Sequence, residues 1–242
     1  MDINCDMGES YGRFRIGNDE AIMPFISSCN IACGFHGGDP TTILKTIDLA
    51  MEHDISIGAH PGYPDLMGFG RRSMALPPQE LRDILIYQIS AIKSMTEYKG
   101  GRLHHVKVHG ALYHDAHHNP EVARSVLDAI VMIDPSILIY TFSQGELHTQ
   151  ARHRQLNTWT EAFADRAYTS SGWLKKRKME GAVISDPILA SEQAWKIAHE
   201  NKVEADNGAE ISIQADTICV HGDTENAVDI AMSIHNKLKH NS

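Results

Sequence analysis

Short apolar and β-branched runs alternate with segments of helical periodicity along the whole chain of 242 residues. The runs predict seven strands, at residues 2–6, 28–33, 55–60, 104–109, 137–142, 157–162 and 216–221. Strict alternation of strands with helices predicts a parallel sheet covered by helices. Seven or eight such units in a chain of this length favour a closed, TIM-like (β/α) barrel over an open doubly wound sheet.

Capping residues mark the helix boundaries. Asp39 with Pro40 and Asp186 with Pro187 each place an N-cap before a first-turn proline. Asp223 is predicted to cap the last helix in the same way. No internal repeat or linker interrupts the pattern, so a single barrel domain is expected over residues 1–242.

The composition narrows the classes of partner and the compartment. A formal net charge of −9 argues against a nucleic-acid or anionic-membrane surface. The basic run at 175–178 is the exception and is expected to be a solvated loop, with contact to an anionic ligand as the alternative. No signal peptide, membrane-length apolar run or CxxC pair is visible, and Cys29 and Cys33 are expected to be buried free thiols. A reducing cytoplasm fits these features.

Polar side chains collect where the predicted strands end. In a parallel barrel these ends share one rim, where such enzymes keep their chemistry. The rim set comprises Asn4, Asp6, Glu9, His36, Asp39, His60, Asp65, Lys107, His109, Ser143, Gln144, Glu161, Asp165, Arg166, His221 and Asp223. Four histidines and several carboxylates on one rim predict an active site there.

His36 is set among glycines, in the stretch CGFHGGDP. The glycines are expected to hold this histidine over the barrel mouth, where backbone must approach a ligand closely. The N–H groups of Gly37, Gly38 and the following helix start are expected to form a site for a phosphate or carboxylate. Ten further histidines fall in helices, loops or strand starts, and most of these ten are expected to be solvated: His104, His105, His114, His117, His118, His148, His153, His199, His235 and His240.

The same segments carry a family resemblance. DINCDMGESYG, SSCNIACGFHGGDP, IGAHPGYPDLMGFGRR, VKVHGALYH, EAFADRAY and TICVHGDT resemble, in one colinear order from residue 2 to about 227, the LamB/YcsF family. The chain departs from the family pattern at Val108, His114 and Ser171, where proline, asparagine and aspartate are usual. No role is assigned to the loop that follows Ser171.

The resemblance implies a fold and an activity. The fold is a seven-stranded β/α barrel similar to that of polysaccharide deacetylases. The activity is that of bacterial ATP-dependent 5-oxoprolinase, in which members of this family form the A subunit and work with subunits B and C. The complex opens the lactam of 5-oxo-L-proline to L-glutamate while hydrolysing ATP as co-substrate. Because the chain lacks a P-loop motif, much of the nucleotide binding is expected on the partners.

Ring opening needs a base, a group that stabilises the oxyanion and a proton for the leaving nitrogen. Asp6 or Glu161 is the predicted base, and His60 and His109 are predicted to stabilise the oxyanion or supply the proton. Lys107 and Arg166 suit the carboxylate of the substrate or a phosphate group. The full set predicted to bind substrate is Asn4, Glu9, Gly37, Gly38, Lys107, Arg166 and His221. A divalent metal held by Asp6, His36 and His60 is a further hypothesis.

Two other functions stay open on the sequence. One is a metal-dependent amidohydrolase or deacetylase that acts alone on a modified sugar or a small amide. The other is a non-catalytic subunit whose rim binds a small molecule and reports it to partners. The number of titratable groups at the rim argues against the second.

Overall fold

The structure is a computed structural model that describes residues 1–224 and 226–239. Seven parallel strands close a barrel in the order β1-β2-β3-β4-β5-β6-β9. These strands are β1 (Asp2–Met7), β2 (Ser28–Ala32), β3 (Ser56–His60), β4 (Leu103–Val106), β5 (Leu138–Phe142), β6 (Thr158–Phe163) and β9 (Thr217–His221). The predicted seven-stranded barrel is therefore confirmed, with strand ends shifted by up to three residues.

Closure comes from β9, which pairs with both β1 and β6. Its register places Asp6 opposite His221, while β2 and β3 pair Ala32 with His60. Because all the strands are parallel, their carboxyl ends meet at one mouth. Lys107 and His109 follow β4 in the same extended path, since their N–H groups donate to the carbonyls of Ala59 and Pro61.

Helices cover the outside of the barrel. In the described part of the chain they are α1 (Asp19–Ile22), α2 (Pro40–Glu52), α3 (Pro78–Tyr98), α4 (Gly110–His118), α5 (Pro120–Ile133), α6 (Glu146–His153), α7 (Pro187–Glu200) and α8 (Ala227–Lys239). Asp39 and Asp186 cap α2 and α7 as predicted, each accepting two N–H groups of the first turn. The apolar faces of the helices are buried against the strands, as Leu85, Ile89 and Ile92 of α3 are.

The prediction for Asp223 is wrong. Helix α8 begins at Ala227, four residues after Asp223, and the Asp223 carboxylate accepts hydrogen bonds from Arg71 and Arg177 instead. The aspartate lies on the mouth loop rather than on the helix, so the capping pattern misassigned a side chain that joins three loops. The pattern also did not predict a two-stranded antiparallel hairpin, β7 (Lys202–Glu204) with β8 (Glu210–Ser212), outside the barrel.

All four cysteines are buried free thiols, as expected for Cys29 and Cys33. Burial raises the pKa of the Cys29 thiol to about 12, so it stays protonated at neutral pH. Within residues 1–224 and 226–239, no helix combines the length and apolar character needed to cross a membrane.

Candidate metal centre at the barrel mouth

The loop after β2 carries His36 into the mouth. Gly38 has a φ of +79°, and a Cβ there would lie 2.7 Å from the carbonyl oxygen of Gly8. Glycine is therefore required for this loop to pack against the loop after β1. His36 itself is fully buried, so the glycines bring it under the loops rather than holding it open to solvent.

Most of the N–H groups in the predicted anion site on this loop donate hydrogen bonds within the protein. The N–H of Gly38 donates to the carbonyl of Glu9 at 3.2 Å. The N–H groups of Thr41 and Thr42 at the start of α2 donate to Asp39, each at 2.9 Å. Gly37 packs against Glu9, where an added Cβ would meet the Glu9 carbonyl oxygen at 3.0 Å. Backbone and capping groups therefore occupy the N–H groups of Gly38, Thr41 and Thr42, which were among those expected to bind a phosphate or carboxylate.

His36 stacks on His109. Their ring centroids lie 3.6 Å apart with an interplanar angle of 3°. Two glycines make room for the stack: a Cβ at Gly62 would lie 2.9 Å from His36 Nδ1, and one at Gly70 would lie 2.6 Å from His109 Cδ2. The motif GAHPGYPDLMGFG thus supplies both His60 and the space around the other two histidines.

Backbone carbonyls fix the tautomers of His60 and His109. His60 Nδ1 lies 2.7 Å from the Lys107 carbonyl oxygen, and His109 Nε2 lies 2.8 Å from the Phe69 carbonyl oxygen. A carbonyl only accepts, so each of these nitrogens carries a hydrogen. The remaining nitrogens, His60 Nε2 and His109 Nδ1, face one another at 3.0 Å. In the neutral rings both present lone pairs to the same space.

Glu9 completes a group of four potential ligands. Its Oε1 lies 3.5 Å from His36 Nε2 and 3.8 Å from His109 Nδ1. Glu9 Oε1 and both nitrogens of His36 are buried without a hydrogen-bond partner. One ligand atom from each of Glu9, His36, His60 and His109 lies within 4.8 Å of all the others. We name these four residues the mouth cluster.

The mouth cluster fits a divalent metal. Metal-binding histidines usually donate their second N–H to a backbone carbonyl or carboxylate, as His60 and His109 do here. Buried polar atoms without partners are costly, and a metal would satisfy those of Glu9 and His36. The hypothesised set of Asp6, His36 and His60 shares only two members with this cluster. Asp6 lies beside it, with Oδ2 3.4 Å from His60 Nε2.

The electrostatics of the cluster follow from burial. Burial and the charge of Asp6 raise the pKa of Glu9 well above its usual range. Burial, together with neighbouring histidines, lowers the pKa of His36 and of His109 well below the usual value. Both imidazoles are therefore neutral at pH 7, which is the form that binds metals.

Asp6 behaves differently from Glu9. Burial opposes its ionisation, yet the neighbouring His60 and Lys107 hold the pKa of Asp6 well below its usual range. Its Oδ1 accepts from Lys107 Nζ at 3.0 Å and from Asn30 Nδ2 at 2.9 Å. Asp6 is thus a fixed carboxylate with one oxygen turned to His60.

A second polar layer lies beneath the cluster, inside the barrel. Lys107 is 2% exposed, and its Nζ lies 2.8 Å from Glu161 Oε1 and 3.1 Å from Asn4 Oδ1. Asn4 in turn donates to Glu161 and Thr217. These groups hold one another, and Glu161 is not part of the mouth cluster. We name Asn4, Asn30, His105, Lys107 and Glu161 the inner layer.

Two members of the inner layer, Asn30 and His105, were not predicted. His105 Nε2 lies 2.7 Å from Asn30 Oδ1, and the His105 ring stacks on Tyr140. Gly58 makes room for this ring, since a Cβ there would lie 2.1 Å from Nε2. The alternation of β4 was the available signal: His105 is two residues before Lys107 and shares its face.

The remaining histidines divide by environment. His105 and His117 are buried and are exceptions in a group of which most were expected to be solvated. His240 lies outside the described residues. The exposed histidines, as expected, are His114, His118, His153 and His199, and the half-buried ones are His104, His148 and His235.

His221 is oriented by Asp165. The His221 Nδ1 lies 2.9 Å from both Asp165 oxygens, and the backbone N–H of His221 donates to the same carboxylate at 2.9 Å. Burial opposes the charge, but His221 keeps the pKa of Asp165 below its usual value. His221 also approaches Asp6 and Cys219, each offering a ligand atom within 4.8 Å of the others. His221 therefore approaches Asp6 from β9, whereas His60 approaches it from β3.

The Arg166 guanidinium is hydrogen-bonded to backbone carbonyls. Its Nε donates to the Ala182 carbonyl at 3.2 Å and its Nη2 to the Lys175 carbonyl at 2.7 Å. Arg166 thereby braces the long loop after β6, and it is almost fully buried. Asp65 likewise supports a loop, through Arg72 and the N–H of Gly68.

Fold and site together define a closed parallel β/α barrel with four potential metal ligands gathered at its mouth. The LamB/YcsF family model matches residues 1–242, and the chain belongs to this family. A Bacillus cereus protein, named as the A subunit of 5-oxoprolinase, is 46% identical over 242 residues, covering 100% of this chain and 96% of that protein.

Solved structures agree with the assignment. The lactam utilization protein from Thermus thermophilus superposes with a TM-score of 0.95 at 44% identity, covering 100% of this chain and 96% of that one. A family 4 carbohydrate esterase from Streptomyces lividans superposes with a TM-score of 0.50 at 7% identity, covering 99% of this chain and 88% of that one. The esterase shares the fold alone, as expected from the predicted likeness to deacetylase barrels.

Proposed function

We propose that this chain is the A subunit of an ATP-dependent 5-oxoprolinase that works with partner subunits B and C. The substrate is 5-oxo-L-proline, whose lactam is hydrolysed to L-glutamate as ATP is hydrolysed. The name of the Bacillus relative and the lactam utilization protein of Thermus supply the substrate class. The observation that carries the hydrolytic part is the mouth cluster, where four buried ligand atoms converge beside an ionised Asp6.

Glu9, His36, His60 and His109 would hold a divalent metal. Bound there, the metal would supply Lewis-acid polarisation of the lactam carbonyl. The orphaned atoms of Glu9 and His36 support this assignment, as do the carbonyl contacts that orient His60 and His109.

Asp6 is the proposed base for the attacking water. Of the two predicted bases, Asp6 lies at the mouth beside His60, whereas Glu161 is held in the inner layer by Lys107 and Asn4. Asp6 would accept the proton of the attacking water, and His221 offers a ring nitrogen within 4.8 Å of the Asp6 carboxylate. His221, held by Asp165, is the proposed proton donor on the β9 side of the mouth.

ATP has a chemical reason to take part. A five-membered lactam is stabilised by amide resonance, and phosphorylation of its oxygen would give a better electrophile for water. The chain has no P-loop motif, so the proposal places much of the nucleotide binding on the partner subunits. A reducing cytoplasm suits the four free thiols.

The direct test measures L-glutamate released from 5-oxo-L-proline and ATP. Three mixtures are compared: this chain alone, subunits B and C alone, and all three together. Release from the complete set only is the expected result. Release by this chain alone without ATP would instead support a metal-dependent amidohydrolase, the alternative that the mouth cluster favours. Ligand binding without turnover in any mixture would support the ligand-sensing alternative.

A further inference from the structure

Two arginines from different loops meet on one carboxylate at the mouth. Arg71 follows β3, Arg177 lies in the long loop between β6 and α7, and Asp223 follows β9. Arg177 Nη2 lies 3.1 and 3.3 Å from the two Asp223 oxygens, and Arg71 Nη2 bonds to one of them. We name Arg71, Asp223 and Arg177 the arginine bracket.

The bracket adjoins the mouth cluster. The Arg71 guanidinium lies over the Phe69 ring, 4.8 Å from its centroid, and the Phe69 carbonyl accepts the hydrogen bond of His109. The same short segment therefore positions a cation and a candidate metal ligand. The charges of Arg71 and Asp223 also act on the pKa of Glu9, as expected for groups that share one mouth.

The bracket keeps hydrogen-bond donors for a further ligand. Each guanidinium carries five N–H donors in a planar fork. In the described part of the chain, Arg71 and Arg177 each use only Nη2 for side-chain hydrogen bonds. Their side chains are 37% and 27% exposed, so an anion can reach them from solvent.

We propose that the arginine bracket binds the carboxylate of the substrate. Two guanidinium charges against one aspartate leave a single positive charge, which matches a carboxylate better than the several charges of a triphosphate. The inference rests on the proposed function and assigns the carboxylate contact to the bracket instead of Lys107 or Arg166. Lys107 is buried in the inner layer, and Arg166 is bonded to backbone carbonyls.

The test compares two ring compounds in the assembled three-subunit enzyme. Arg71→Gln and Arg177→Gln are expected to raise the KM for 5-oxo-L-proline by about 10- to 100-fold and to change kcat by less than about threefold. The probe 2-pyrrolidinone has the same lactam without the carboxylate, and its binding should not change. Lys176→Gln is the matched control, because Lys176 is an exposed cation beside Arg177 and outside the bracket.

Other outcomes would overturn the inference. Equal losses for both ring compounds would show that the arginines only hold the loops. A raised KM for ATP, with that for 5-oxo-L-proline unchanged, would make the bracket a phosphate site. If the wild-type complex releases no glutamate, the proposed function fails, and calorimetry of the chain with each ring compound decides the inference separately. Preference for the carboxylate that Arg177→Gln abolishes would support it, and the lack of any preference would overturn it.

Discussion

The mouth cluster and the inner layer contain similar residues but differ in how many of their buried polar atoms have hydrogen-bond partners. In the inner layer every named side chain has at least one partner: Lys107 binds Glu161 and Asn4, and His105 bonds to Asn30. Atom by atom, the inner layer has one buried oxygen without a recorded partner, Glu161 Oε2, whereas the mouth cluster has three such atoms: both nitrogens of His36 and Oε1 of Glu9. Buried polar groups are normally satisfied, so the region where unpaired atoms converge is the one suited to a ligand. The two regions of one barrel therefore differ in whether unpaired buried atoms converge on a shared space.

The largest effects are expected on turnover at the mouth. His60→Ala and Asp6→Asn should each lower glutamate release by the complete enzyme by about 10³-fold, because Asp6 is the proposed base and His60 a proposed metal ligand beside it. Circular dichroism should show an intact fold, which separates a chemical loss from unfolding. A near-normal rate in either variant would contradict the proposed roles.

A substitution in the inner layer should instead lower the stability of the fold. Lys107→Met leaves Asp6 and Glu161 buried without their shared cation and should lower the free energy of unfolding by about 3–5 kcal/mol. Denaturant unfolding measures this loss. Lys99→Met is the control, because Lys99 pairs with Asp48 at the surface and should cost less than about 1 kcal/mol. Equal small losses would mean that the inner layer is not held by its ion pairs.

The sequence predicted the barrel better than it predicted the division of the polar residues between the mouth cluster and the inner layer. Alternation of apolar runs with capped helices is a local signal, and it placed all seven barrel strands. Strand ends then placed Asp6, His60, His109 and His221 on one rim. The division itself depends on packing between distant segments, which spacing does not reveal.

Three residues have environments that could not be predicted from the sequence: His36, Arg177 and Asp223. Burial of His36 requires Gly62 and Gly70 to leave room for the stacked rings, and this is visible only once the loops are packed. Arg177 and Asp223 are 46 positions apart in the sequence, so their ion pair cannot be predicted from local sequence pattern. A capping pattern and an ion-pair partner look alike in a single sequence, which explains the wrong prediction for Asp223.

Removing a ligand from the mouth cluster should lower the metal content of the protein without a large change in its stability. His36→Phe keeps a ring to stack on His109 but removes a ligand, so bound divalent metal measured by elemental analysis should fall. The free energy of unfolding of the metal-free chain should change by no more than about 1 kcal/mol, since the His36 nitrogens have no hydrogen bonds to lose. Full retention of metal would remove His36 from the site.

The last effect, on the pH dependence of stability, comes from a buried histidine away from the mouth cluster. His117 accepts a hydrogen bond from the Phe142 N–H at 3.3 Å, and burial lowers its pKa to about 3. The unfolded chain protonates this ring near pH 6.5, whereas the folded chain does so only near its lower pKa. The stability contributed by neutral His117 is therefore complete above pH 6.5 and is lost as the pH falls toward 3.

His117→Phe should remove that dependence. Between about pH 6 and 4, the wild-type chain should lose about 1.4 kcal/mol of unfolding free energy per pH unit more than the variant. Denaturant unfolding at each pH gives both slopes, and identical slopes would contradict the burial argument. The variant should also keep its metal, unlike His36→Phe, because His117 lies outside the mouth cluster. Two buried neutral histidines would then be distinguished by whether they offer a nitrogen to the space shared by the other potential ligands.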